Sequence, residues 1–181
     1  MAIITNLSFT ILKSGCVGRR LEEDVKKMIE AAGFTISKTI THKFTTEQSA
    51  IWYEHLASSK FFNETCTNMS AARLRILELE RDDDISAQEA FRAILGETDP
   101  QKAAKIPISG EWCDKLGLPR GTQTIRGAMF IKYGQDVVNI SFNVAHGPDS
   151  EENKAREMDL LKKWIPAFSK ILKKIGVDAL P

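Results

Sequence analysis

A chain of 181 residues that is 43% hydrophobic and 27% charged fits one compact globular domain and excludes a disordered one. Its formal net charge of +1 lacks the basic excess that accompanies phosphate-backbone binding, so no nucleic-acid partner is expected. No apolar run approaches the ~20 residues that cross a bilayer, and residues 1–9 have no cationic start before an apolar stretch, so a cytoplasmic protein without a membrane partner is expected. The first element is a strand over residues 7–13 (LSFTILK), followed by a turn at Gly15 and Gly18 and a helix over residues 20–32 with Leu21, Val25, Met28 and Ile29 on one face. Gly33 stands where a helix C-cap glycine belongs, and residues 34–44 return as a second strand with β-branched residues at alternate positions.

A helix capped by Thr45 or Thr46 is expected through Leu56, then a short one over residues 60–68. Leu74, Ile76, Leu77 and Leu79 mark a third strand, ended by the acidic run 82–84, and residues 86–95 form a helix closed by Gly96. Residues 97–121, with three prolines and three glycines among them, read as a long loop, and loops of that length are often functional. Residues 128–145 read as a β-rich stretch with a hairpin at Gly134. A charged helix over residues 150–164 follows, with Asp149 and Glu152 at capping-box spacing, then a short basic helix over residues 167–175. The order β-α-β-(α)-β-α-β-α implies an α+β, ferredoxin-like sandwich: a four-stranded antiparallel sheet with helices on one face. Cys16, Cys66 and Cys113 have no metal-ligand spacing and read as free thiols.

His146 ends a strand pattern and is followed by a glycine, so its ring projects at a strand-to-helix junction. A neutral imidazole is a competent phosphoryl acceptor when something fixes its second nitrogen, and Glu157 on the following helix is placed to do so. The stretch NVAHGPDSEENKAREM resembles the active-site signature of nucleoside diphosphate kinases. Three further segments match that family in the same order: ILKSG at the first strand's end, WYEHLASSKFF, and FRAILGETDP, with TIRG supplying another arginine. The likeness runs from Leu7 to Trp164.

The resemblance implies one kinase-like domain over residues 1–181, with an extended loop at about 99–121 and a short C-terminal helical tail. It implies transfer of a γ-phosphoryl group from a nucleoside triphosphate such as ATP to a nucleoside diphosphate, by a ping-pong route through phosphorylated His146, in a homo-oligomer. Catalytic roles fall on His146, Glu157, Lys13 and Arg126. Phe61 and Ile140 would enclose the base, Tyr53 takes the place of the site tyrosine, and Lys13 and Asn143 would contact the sugar. Arg92, Thr98 and Arg126 would hold phosphate, with Mg²⁺ carried by the nucleotide's phosphates and not by protein ligands. Three features depart from the family: Ser14 and Gly15 replace a proline and an aspartate, Pro148 replaces a serine, and residues 102–121 are longer than the corresponding loop. Two other readings fit parts of the sequence: a catalytically impaired family member that binds nucleotide or protein, and an RNA-binding module, because residues 126–133 partly imitate an RNP1 strand.

Overall fold

The computed structural model describes residues 6–138 and 143–168. Strand β1, Leu7–Leu12, is buried along its whole length, and the short helix α1, Ser14–Gly18, and α2, Glu22–Ala31, follow it. Then come β2, Thr35–His42, α3, Thr46–Trp52, α4, Phe62–Ser70, and β3, Leu74–Glu80. The second half carries α5, Ala87–Leu95, α6, Pro100–Ala103, α7, Gly110–Leu116, α8, Ile125–Tyr133, β4, Ala145–His146, and α9, Glu151–Trp164. The sheet order is β2-β3-β1-β4, every pair antiparallel, with Leu7 opposite Glu80 and Ile11 opposite His146. This is the expected ferredoxin-like sandwich, and it puts the C-terminal ends of β1 and β4 in the same neighbourhood as the start of α9.

Helices cover both faces of the sheet, not one. Leu12, Leu77 and Leu79 pack with Val25, Ile29, Phe91, Ile125 and Met129, while Phe9, Ile11, Leu74 and Ile76 pack with Trp52, Met69 and Leu161 from the other helices. Apolar residues on both faces of β3, and Leu12 on the face of β1 opposite Phe9 and Ile11, demand this, because a strand wet on one side buries apolar residues on its other face only. β2, at the sheet's end, does alternate between exposed and half-buried positions.

Four local expectations are corrected. Residues 14–18 form a helical turn where the glycines suggested an open one. The 97–121 segment contains α6 and α7, started by Asp99 and Ser109, whose side chains accept from backbone N–H groups of Gln101 and Trp112. The residues read as the first arm of a hairpin form α8: the Thr124 hydroxyl caps it by accepting from the Gly127 N–H, and Ile125 and Met129 bury one face at helical spacing. Gly127 is needed there, since a Cβ would lie 2.6 Å from the Ala103 carbonyl oxygen of α6. Finally, α9 is capped by Ser150, which accepts from the Asn153 N–H, and not by Asp149. The helical state of residues 126–133 also removes the RNA-binding reading, which needed an exposed strand there. The C-terminal helix expected over 167–175 lies almost wholly outside the described residues.

Candidate active site

His146 ends β4 opposite Ile11, near the C-terminal end of β1, and its backbone carbonyl accepts from the Thr10 hydroxyl at 2.7 Å. Its ring edge meets Trp52 of α3, with centroids 5.5 Å apart. Its Nε2 lies 2.9 Å from Oε2 of Glu157, which α9 holds at 4% exposure. An ionised carboxylate can only accept, so this contact puts the imidazole proton on Nε2 and leaves the lone pair on Nδ1. Nδ1 makes no hydrogen bond among the described residues.

Three cations line the same cavity as that ring. Lys13 follows β1 directly, with its backbone N–H donating to the Val144 carbonyl at 3.0 Å, so the sheet register fixes where its side chain starts. Burial, with a smaller push from Arg126, lowers its ammonium to about 8. Arg126, 4% exposed on α8, donates to the carbonyls of Gly96 and Ala145 at 2.8 and 3.0 Å, while its buried Nε has no partner. Burial and then Arg92 press it down to about 9, which leaves it charged at neutral pH. Among the described residues none of Lys13, Arg92 and Arg126 forms an ion pair with a carboxylate. Like charges gathered with no carboxylate at ion-pair distance are costly, and a bound anion lowers that cost.

These groups share one cavity of about 400 Å³, within the usual range for small-molecule sites. Lys13, Arg92, Arg126, His146 and Glu157 line it, as do Tyr53, Phe61 and Thr98. Phe61 is 51% exposed, an open apolar face at the wall. Tyr53 is buried, its hydroxyl directed to the Met69 sulfur at 3.8 Å, and burial followed by Glu157 pushes the phenol up, so it is neutral. Asn143 is not on the wall: at 1% exposure it lies behind it, and its side-chain N–H donates to the Thr98 carbonyl. Ile140 lies outside the described residues.

The sequence reading missed the polar face of α4. Glu64, Thr65 and Asn68 line the cavity at helical spacing from Phe61, and that spacing was the available signal. It also missed Asp149, which lines the cavity and is held ionised below the usual carboxylate range by Asn153 first, with Arg92 and His146 contributing. The departures from the family pattern are accommodated locally. The Ser14 hydroxyl donates to the Asn68 carbonyl at 3.0 Å, tethering the turn after Lys13, and the Pro148 carbonyl accepts from Gln88 Nε2 at 3.2 Å. No group of three His, Cys, Asp or Glu placed to hold a metal occurs among the described residues, and no described helix is long and apolar enough to cross a membrane.

Fold and cavity together define an α+β sandwich with a pocket lined by His146 and three cationic side chains. The family described as nucleoside diphosphate kinase matches residues 6–163. A nucleoside diphosphate kinase of Geotalea daltonii is 32% identical over 153 residues, covering 83% of this chain and 90% of its own. The Aquifex aeolicus enzyme structure superposes with a TM-score of 0.66 at 22% identity, covering 86% of this chain and 93% of its own. A Halobacterium salinarum nucleoside diphosphate kinase solved in complex with CDP gives 0.63 at 22% identity over 85% of each chain. The chain belongs to the nucleoside diphosphate kinase family.

Proposed function

We propose that this protein passes the γ-phosphoryl group of a nucleoside triphosphate to a nucleoside diphosphate through Nδ1 of His146. The observation that carries the reading is the His146–Glu157 contact at 2.9 Å inside a cavity whose cations form no ion pair with a carboxylate among the described residues. In the first half-reaction Nδ1 attacks the γ-phosphorus in line, an N–P bond forms, and the bond to the β,γ-bridging oxygen breaks, releasing the diphosphate. In the second, a terminal oxygen of the acceptor diphosphate attacks the same phosphorus and the N–P electron pair returns to Nδ1. Glu157 accepts from Nε2–H throughout, which steadies the positive charge that Nδ1 substitution puts on the ring. Arg92, Arg126 and Lys13 face the negative charge on the equatorial and leaving oxygens, and guanidiniums fixed in advance cost no reorganisation as that charge moves.

Phe61 supplies a stacking face for the base, with Ile140 assigned to the other side, and Thr98 a donor for phosphate. Recognition by stacking reads no base edge and so admits several nucleotides, in line with a relative bound to CDP. Asn143 serves the site by holding the Thr98 carbonyl. Magnesium fits the cavity as part of the substrate: the described residues offer no group of three acidic, His or Cys side chains placed to hold a metal, and phosphate oxygens are its preferred hard donors. Bound with the nucleotide it would supply positive charge against the phosphate oxygens beside Arg92, Arg126 and Lys13.

The test is initial velocity with Mg-ATP and a second nucleoside diphosphate, both varied. Parallel double-reciprocal lines are expected, because donor and acceptor use one site in turn. Intersecting lines would mean direct transfer in a ternary complex and would overturn the covalent route.

A further inference from the structure

The nucleophile is followed by a soft piece of backbone. Gly147 allows more backbone freedom than any other residue type, and Pro148 has no N–H with which to tie the turn down. β4 ends at His146 and α9 begins at Glu151, so residues 147–150 belong to neither element. Yet this turn sets both the direction of the His146 ring and the approach of α9, which carries Glu157. Something must fix it from outside, and only carbonyl oxygens are available at Pro148.

Gln88 is placed to do so. It stands on α5, remote in sequence from the signature around His146, and is 4% exposed. Its Nε2 donates to the Pro148 carbonyl at 3.2 Å in a fully buried bond spanning 60 residues of chain. One turn further along the same helix, Phe91 lies against Gly147, and Arg92 enters the cavity beside it. One rigid element thus seats the turn after the nucleophile and delivers a cation to the same cavity. We propose that Gln88 is a positioning residue for phosphoryl transfer, holding the turn after His146 so that Nδ1 is aimed along the line of attack. The assignment rests on His146 being the phosphoryl acceptor.

The chemistry selects the variants. Gln88→Met keeps length and volume but removes the donor. Gln88→Glu replaces the donor by an acceptor when ionised, and a buried carboxyl is raised in pKa, so on mild acidification it regains an O–H that can serve the same carbonyl. The experiment is rapid-quench labelling of the full chain by γ-labelled Mg-ATP, alongside nucleotide affinity read from tryptophan fluorescence. Expected for Gln88→Met is a fall of roughly ten- to a hundredfold in the labelling rate, the size of penalty that follows from a misplacement of up to ~1 Å, with nucleotide affinity within about twofold. The ratio of Gln88→Glu to wild-type labelling should climb as pH falls from about 8 to 6, since a carboxyl recovers its donor in that range only when burial raises it. Wild-type labelling rates in Gln88→Met, or a loss of affinity as large as the loss of rate, would overturn the proposal. If Gln88→Met does not fold, the pH ratio of Gln88→Glu decides: a flat ratio overturns it. An unlabelled wild type would instead bring down the phosphohistidine reading itself, and is told apart by needing no variant.

Discussion

Gly147→Ala offers a test of how closely the nucleophile's surroundings are packed. A Cβ at this position would lie 2.6 and 2.8 Å from two ring carbons of Phe91 and 3.2 Å from a methyl of Leu95. Carbon atoms rest at about 3.5–4.0 Å, so the methyl lacks roughly 1 Å of room. Phe91 is fully buried and meets Phe34 edge to face, with ring centroids 6.1 Å apart, so the ring cannot simply swing away. The displacement therefore falls mainly on the turn that carries His146. Overpacking of this kind costs about 1–3 kcal/mol of stability, and a ~1 Å shift of a reacting group costs on the order of a hundredfold in rate. The assay is single-turnover phosphoenzyme formation, with thermal unfolding in parallel. A lowered Tm and a rate down by about ten- to a hundredfold are expected, with partial recovery on adding Phe91→Leu, which vacates the space. A Gly147→Ala protein that turns over within about threefold of wild type would refute the claim that this contact aims the nucleophile.

Arg126→Ala should lower the transfer rate by about a hundredfold or more while changing nucleotide affinity less, measured as separate kcat and Kd, because its charge matters most as the phosphoryl group moves. It should also destabilise the fold by about 2–4 kcal/mol in urea melts, since the Gly96 and Ala145 carbonyls lose a charged donor. Lys13 carries a pH dependence of definite sign. Its folded-state pKa, about 8, is depressed from 10.5, so below 8 it is charged in both states and its burial penalty is fully present. Between 8 and 10.5 the unfolded chain binds more protons, so this contribution to stability rises with pH, while affinity for phosphate falls as the free protein loses the charge. Lys13→Met should flatten both profiles in denaturation and binding titrations. Restoring the family's residues by Ser14→Pro with Gly15→Asp, or by Pro148→Ser, should raise the rate by no more than about fivefold, because the charged groups that carry most of the catalysis are already in the cavity. A wild type that is inert until one of these changes is made would favour an impaired family member.

Which elements were legible in the sequence follows from how local their causes are. β1, β3 and α5 announce themselves because alternation, apolar runs, Ser86 as a cap and Gly96 as a stop are written within a few residues of each element. α8 was misread because Ile125, Met129, Phe130 and Ile131 suit a strand as well as a helix, and the deciding facts are tertiary: Arg126 reaches Gly96 and Ala145, and Gly127 presses on α6. The helices α6 and α7 are too short for periodicity to show, although Pro100 just after Asp99 was a usable start signal. At the site, Lys13, Phe61, Arg92 and His146 could be singled out because each sits in a short motif. Gln88 could not be. Its partner lies 60 residues away and no local pattern links them.

The most direct measurement of the covalent route is the fate of label from γ-labelled Mg-ATP. The purified chain should take up close to one phosphoryl group per active subunit, acid-labile and base-stable, and release it to added nucleoside diphosphate at a rate matching turnover. His146→Gln should take up none while still binding nucleotide within about tenfold of wild type, since the ring is needed for chemistry more than for binding. Label on another residue, or undiminished turnover by His146→Gln, would contradict the assignment of His146 as the phosphoryl carrier.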